Sequence, residues 1–414
     1  MSDGMPPEPG WEDTLPEDFD SELAARGRSE WVLGEEIDEI LEVTDPLPVG
    51  VKELIALLQE PDISEVRINS WDNIRVKKSG LNIVVDQRIF ASEEQLEAAL
   101  NYIISHHKES EITGQKVDLA STQYGLVRVA LGKGTRLCIW APPVFTTIQA
   151  LFVRQVLPDF TLEDYYHAGG MSAEMLGFLK TAIKGRANIL IAGPPGVGKS
   201  TLLQAITRKF LPDERIIVLE TIPELYLDHI DDCLRGQEYI DRRKPRNSVT
   251  LADLVEGSLL MRGDRIIVGE VRGPEAYYLI EASHTGHRGV LCTIHGFTVP
   301  EVVQRLISLA HRNPAAPRSE RLAQDVAEAV DLVLFLRYTP PAAHRIDEIC
   351  EVENAIEGGY VTTNTIYKYK DGEFTCQQEP TIHLKERMRI YDAHFDPELF
   401  AKMDMSFLRR QEHF

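Results

Sequence analysis

The stretch GPPGVGKST (193–201) carries the most legible chemistry in the chain. Gly193, Gly198, Lys199 and Ser200 satisfy the spacing G-x-x-x-x-G-K-[ST]. An apolar run with strand character, ANILIAG (187–193), leads into it, and an amphipathic helical stretch, KSTLLQAITRKF (199–210), leads out. In that setting the glycines let successive N–H groups curl around an anion, and the helix turns its positive end toward it. Gly193, Gly196, Val197, Gly198, Lys199, Ser200 and Thr201 are the expected nucleotide contacts. Lys199 is expected to reach the β- and γ-phosphates of ATP, and Ser200 to help hold Mg²⁺.

Hydrolysis also calls for carboxylates at the ends of neighbouring strands. RIIVGE (265–270) ends in Glu270, suited to orienting Mg²⁺ in part through water. RIIVLE (215–220) ends in Glu220, with Glu224 four residues on, and either suits the task of activating the attacking water. Each taken singly fits a solvated strand end or a helix cap as well.

A further cluster, HTGHRGVLCTIH (284–295), holds three histidines. Zinc needs ligands converging at short spacing, whereas His287 and His295 are separated by an apolar run with only Cys292 inside it. We expect His287 to start and His295 to end a strand of the nucleotide sheet. Each would then exchange a hydrogen bond with phosphate or with Glu270. His284 is expected to satisfy a buried hydrogen bond.

The elements that must position these groups form a regular pattern. Continuous apolar runs at 187–193, 215–220, 265–270, 289–294 and 331–337 alternate with helical segments. This is the signature of an α/β fold with a parallel sheet covered on both faces. It is preceded by a smaller α+β domain, in which VKELIALLQ and SEEQLEAALNYIISHH read as helices. SEVRINSWDNIRVKKSG, YGLVRVALGKGTRLCIWAPP and IQALFVRQV read as strands. The expected organisation is an acidic, disordered tail at 1–46, the α+β domain at 47–156, a linker at 157–170, the nucleotide core at 171–340, and a C-terminal β-hairpin and helical subdomain at 341–414. The tail holds 15 acidic and two basic residues, too few apolar groups to offset the entropy of ordering. The last subdomain contains an Asp371-Gly372 turn and a helix over about 382–404.

Composition narrows the function classes. No run approaches the roughly 18 to 20 apolar residues of a membrane span, and the N-terminus lacks a signal-like core, so a cytoplasmic chain is expected. Five scattered cysteines without a C-x-x-C pair argue against zinc or disulfide frameworks. A net charge of −21 argues against a stable nucleic-acid platform, and the basic stretch DRRKPR (241–246) reads as a solvated loop.

In chain order, GPPGVGKST, LETIPEL, MRGDRIIVGEVRGPEA and TGHRGVLCTIH resemble the secretion ATPases of type II and type IV secretion systems and type IV pili. The likeness is to the tight-adherence pilus and conjugation-type branch, and it extends upstream to GTRLCIWAPP and FVRQVLPDFTLEDY. The resemblance implies a RecA-like P-loop ATPase core that works as a homo-hexamer, peripherally attached to the inner face of the cell membrane through a membrane platform protein. It further implies that Glu224 is the catalytic base, that Glu270 and Arg272 belong to the Walker B segment, and that His287 and His295 sense the γ-phosphate. By the same resemblance Arg136 and Arg154 reach the nucleotide from the N-terminal domain. Thr221, Leu260 and the pair Gly296-Phe297 depart from the family pattern. The competing expectations are a weakly hydrolysing, nucleotide-gated docking scaffold and a nucleic-acid motor with a RecA-like core.

Overall fold

The computed structural model describes residues 46–60, 63–78, 81–105, 126–131, 135–143, 145–154, 160–210, 213–227, 229–240, 245–339 and 342–401. The expected acidic tail, apart from Pro46, and the basic residues 241–244 lie outside the described residues. The chain divides into two compact units, Met1–Leu157 and Pro158–Phe414.

In the first unit, strands β1 (Ile63–Ser70), β2 (Asn73–Lys78), β3 (Leu81–Val84), β4 (Leu126–Leu131), β5 (Thr135–Trp140) and β6 (Gln149–Arg154) form one sheet in the order β3-β2-β1-β6-β5-β4. Every pair in it is antiparallel. Helices α1 (Val51–Gln59) and α2 (Glu93–Ser105) cover one face, because their apolar positions recur at helical spacing. Leu54, Ile55, Leu96 and Leu100 thereby meet Val66, Ile68, Leu137 and Phe152 in a single core. Arg136 stands on β5 opposite Val153, and Arg154 closes β6 opposite Thr135; the Arg154 side chain lies outside what is described.

The second unit is built on a nine-stranded sheet. Its strands are β7 (Ile189–Gly193), β8 (Ile216–Glu220), β9 (Cys233–Gln237), β10 (Arg265–Val268), β11 (Leu291–His295), β12 (Leu332–Thr339), β13 (Ala342–Glu357), β14 (Tyr360–Lys370) and β15 (Glu373–Cys376). The order is β15-β14-β13-β12-β7-β11-β10-β8-β9, parallel from β12 through β9 and antiparallel from β12 to β15.

Helices bury both faces, which is why the parallel strands read as unbroken apolar runs. Ile189 and Ile191 of β7 enter one core with Ile216 and Val218 of β8. Leu190, Ala192, Ile217 and Leu219 enter the other. The first core takes in α3 (Leu162–His167), α4 (Ala173–Lys184), α5 (Lys199–Thr207) and α10 (Ile382–Arg389). The second takes in α6 (Leu251–Ser258), α7 (Glu275–His284), α8 (Val299–Ala310) and α9 (Ser319–Ala329). No helix among the described residues is long and apolar enough to cross a membrane.

Three expectations about organisation differ from the structure. The stretch expected as a linker contains α3, started by a capping box in which Thr161 Oγ1 accepts the Asp164 N–H at 3.1 Å and Asp164 accepts the Thr161 N–H at 2.9 Å. Leu162 and Tyr165 are buried there. The C-terminal strands are no separate body: they extend the same sheet, and Ile346, Ile349, Ile366 and Tyr367 complete its core. The last helix ends at Arg389, and a short 3-10 turn follows at Pro397–Phe400, since proline suits a first turn and not a helix interior. The Asp371-Gly372 turn joins β14 to β15, with both residues at positive φ (54° and 92°).

Candidate nucleotide site

The loop between β7 and α5 has the backbone that its glycines permit. Gly198 caps α5 at φ 87°, and Gly193 sits at φ 149°, where a Cβ would lie 2.6 Å from the Leu336 carbonyl oxygen. A side chain at either position would displace the loop. Val197 is 4 % exposed and packs into the core, so only its backbone faces an incoming anion. Ser200 and Thr201 follow Lys199 in the first turn of α5, at the positive end of the helix.

Lys199 is 7 % exposed, and three acceptors surround its ammonium: Gly193 O at 3.2 Å, Pro194 O at 3.0 Å and His295 Nδ1 at 3.0 Å. For Nδ1 to accept, the ring proton sits on Nε2. That Nε2 lies 3.1 Å from Glu270 Oε1. The contact is short but poorly directed, because Oε1 is buried and receives no hydrogen bond of good geometry. Glu270 Oε2 accepts from the Arg272 guanidinium. Lys199, His295, Glu270 and Arg272 thus form one continuous file. Burial pushes the Lys199 ammonium down to about 8, against the attraction of Glu270. Burial alone would raise Glu270, but His295 and Arg272 beside it hold the carboxyl at about 2, so it is ionised at neutral pH.

On the other side of the loop, Ser200 Oγ donates to Glu224 Oε2 at 3.0 Å. One turn along α5, Gln204 grips the backbone of Tyr226, accepting its N–H at 2.8 Å and donating to its carbonyl. Residues 200 and 204 share a helix face, so the acidic loop is stapled to α5 at two points. Glu220, 3 % exposed, accepts the N–H groups of Glu224 and Leu225 at 2.8 and 3.1 Å. Of the two carboxylates suited by sequence to activating water, Glu224 is therefore the one beside Ser200. Glu220 is committed to the chain.

The expected residues divide into those that gather and those that do not. Gly193, Gly196, Val197, Gly198, Lys199, Ser200, Thr201, Glu224, Glu270, Arg272 and His295 surround the loop, with His295 paired directly opposite Gly193. His287 does not join them. It lies before β11 rather than on it, in the turn after α7, with its N–H on Ala282 O at 3.0 Å and Nδ1 3.2 Å from Thr285 Oγ1. The strand from Leu291 to His295 alone spans about 13 Å, which puts His287 at the far end of the sheet. A left-handed Gly286 (φ 95°) ends α7 and delays the strand, the signal that a purely apolar reading of 289–294 overlooks. His284 is likewise not a buried hydrogen-bonding group: it is exposed at the end of α7, 4.0 Å from Asp325. Arg136 and Arg154 occupy neighbouring strands of the first unit.

Sequence reasoning missed Gln204, Arg235 and Glu275. Glu275 Oε1 takes the N–H groups of Arg272 and Gly273 at 2.6 and 2.7 Å and so fixes the turn that carries Arg272. A carboxylate three residues after Arg272, at the start of a helix, was the available signal.

Ser200 Oγ, Glu224 and the underserved Oε1 of Glu270 present hard oxygen atoms, the donor set that Mg²⁺ and its waters prefer. Gly196, at φ 74° with no other atom within 4 Å of where a Cβ would lie, leaves the loop's outer side open.

The family model for type II/IV secretion system proteins matches residues 87–402. A probable conjugal transfer protein TrbB of Sinorhizobium fredii is 26% identical over 314 residues, covering 74% of this chain and 89% of that protein. The VirB11 protein of Agrobacterium fabrum is 32% identical over 181 residues, covering 43% of this chain and 51% of its own length. Among solved structures, the pilus retraction motor PilT with bound ADP superposes with a TM-score of 0.52 at 17% identity, covering 89% of this chain and 93% of that one, a likeness of fold. A P-loop joined to paired acidic strand ends, on a RecA-like sheet matched over most of its length, makes this chain a member of the type II/IV secretion system protein family.

Proposed function

We infer that the chain is an ATPase that hydrolyses ATP to ADP and phosphate and couples this to pilus assembly or secretion. The observation that carries the reading is the gathering of Lys199, His295, Glu270 and Arg272 beside the nucleotide loop. In this reading the loop amides and Lys199 bind the phosphates, exchanging the lysine's present acceptors for phosphate oxygens. Ser200 and Glu270 would hold Mg²⁺, Glu270 in part through water. The ion would neutralise charge on the β- and γ-phosphates. Glu224 accepts the proton of the attacking water, and Arg272 offsets charge at the γ-phosphate. His295, touching both Lys199 and Glu270, registers whether the phosphate is present.

The family resemblance supports a homo-hexamer on the cytoplasmic face of the membrane, docked on a platform protein of the machine, with Arg136 and Arg154 adding nucleotide contacts. The test is steady-state ATP turnover of the purified chain beside Lys199→Ala and Glu270→Ala. Turnover well above both variants, and sedimentation as a hexamer with nucleotide, is the expected result. A wild-type rate equal to that of Glu270→Ala, with nucleotide still bound, would identify a nucleotide-gated scaffold instead.

A further inference from the structure

Glu220 and Arg235 touch neither the nucleotide loop nor the file of charged groups beside it, yet they hold the chain that carries Glu224. Glu220 ends β8, and its carboxylate folds forward over its own loop, where Oε1 receives the N–H groups of Glu224 and Leu225. Leu225 is buried at 1 %, so its N–H needs an acceptor in the interior, and the part-buried N–H of Glu224 shares the same oxygen. Arg235, on the edge strand β9, lies 3.6 Å from the other oxygen of Glu220 and donates to Leu225 O. The loop is therefore tied at its start and its end to one arginine. Space for the carboxylate comes from Gly269, the residue before Glu270: a Cβ there would lie 3.0 Å from Glu220 Cγ and 3.2 Å from Oε1. The strand end that delivers Glu270 and the loop that delivers Glu224 share this one wall.

We propose that Glu220, clamped by Arg235, is a positioning residue that aims the Glu224 carboxylate at Ser200 and the attacking water, and is not itself the base. The inference rests on the ATPase reading for its kinetic consequence, and on geometry alone for its structural one. With Glu220 removed, the N–H groups of Glu224 and Leu225 lose their acceptor and the loop turns to find others, carrying Glu224 away. Both N–H groups go to the single oxygen Oε1, and the carbonyl oxygen of a glutamine side chain accepts the same two bonds. Glutamine should therefore replace it, whereas it could not replace a base.

The experiment compares the full chain with Glu220→Ala, Glu220→Gln and Arg235→Ala, measuring kcat and KM for Mg-ATP, the affinity for a fluorescent ADP analogue, and amide hydrogen exchange over residues 221–227. Glu220→Ala should lose roughly 100-fold in kcat with nucleotide affinity nearly unchanged. Glu220→Gln should return to within a few-fold of wild type. Arg235→Ala, at a half-exposed edge position that spares the core, should show a milder loss confined to kcat. Exchange over 221–227 should quicken in Glu220→Ala and not in Glu220→Gln. Glu220→Gln as inactive as the alanine variant would assign the chemistry to Glu220 itself and overturn the proposal, as would full kcat or unchanged exchange in Glu220→Ala. Absence of turnover in the wild type would sink the ATPase reading, while the exchange measurement would still decide whether Glu220 sets the loop.

Discussion

The two ends of strand β11 carry charged clusters of similar composition and opposite character. At the His295 end, Lys199, Glu270 and Arg272 meet at the nucleotide loop, and one oxygen of Glu270 is buried without a well-directed donor. At the other end, beside His287, Asp331 is fully buried and accepts from the guanidinium groups of Arg288 and Arg387 and from the Asn188 N–H at 2.8 Å. Asn188 completes the knot, donating to Ala329 O at 2.7 Å and receiving the Val290 N–H at 3.0 Å. There, every polar group of Asp331 and Asn188 has a partner, and Arg387 ties α10 to the sheet. A cluster with filled valences is a clamp. One that leaves an oxygen underserved beside open glycine backbone, at the carboxyl ends of parallel strands, is a site.

The sharpest way to break this comparison is to remove one charge from each end. Lys199→Ala should lower turnover by about 1000-fold or to background while leaving the melting temperature close to wild type, because it removes phosphate stabilisation and not packing. Retained turnover in a phosphate-release assay would show that the open cluster is not the chemical one. Asp331→Ala should do the reverse, costing about 3–5 kcal/mol by leaving two arginines half-buried without their anion. Urea denaturation measures this, and a change below about 1 kcal/mol would mean the clamp contributes little.

The two histidines, one ending β11 and one in the turn that precedes it, give a finer contrast. His295→Ala should cut kcat by roughly 10- to 100-fold and leave nucleotide affinity largely intact, whereas His287→Ala should change turnover by less than about 3-fold. Equal loss in both would mean that the far end of β11 reports to the site after all.

The smallest expected effect concerns pH. The folded-state value for Glu220 is raised to about 7, so the folded chain holds its proton more tightly than the unfolded one. This contribution to stability is fully present below the unfolded value of about 4.5 and is lost as pH rises through about 7. Glu220→Gln lacks that loss. Its melting temperature should therefore gain on wild type by a few degrees between pH 5 and pH 8, as read by circular dichroism. A constant difference across that range would show that Glu220 does not titrate there.

The nucleotide loop was fully legible in the sequence because its requirements are local. Gly193 and Gly198 are there for backbone conformation and close approach, and Lys199 and Ser200 follow at fixed offsets along the chain. The alternating membership of β7 and β8 in two cores was legible for the same reason, as unbroken apolar runs. The helix over Leu162–His167 is also written locally, in Thr161 and Asp164, but the glycines at 169 and 170 mask it as a linker. Gln204 and Arg235 carry no such mark: a glutamine on a helix and an arginine on an edge strand look like solvated surface until the fold brings Tyr226 and Glu220 to them.

By itself, the sequence determined what depends on neighbours along the chain: the phosphate loop, the strand runs, the acidic strand ends and the family blocks. Only the tertiary structure decided between groups that residue type and spacing alone left equivalent. Glu220 and Glu224 are both carboxylates after the same strand, and His287 and His295 are both histidines flanking the same apolar run. One of each pair reaches the loop because strand pairing sets His295 opposite Gly193 and because Glu220 commits Oε1 to the chain that carries Glu224 and turns its other oxygen to Arg235. Which valences are filled and which left open depends on distances across the sheet, and spacing along a chain does not encode those.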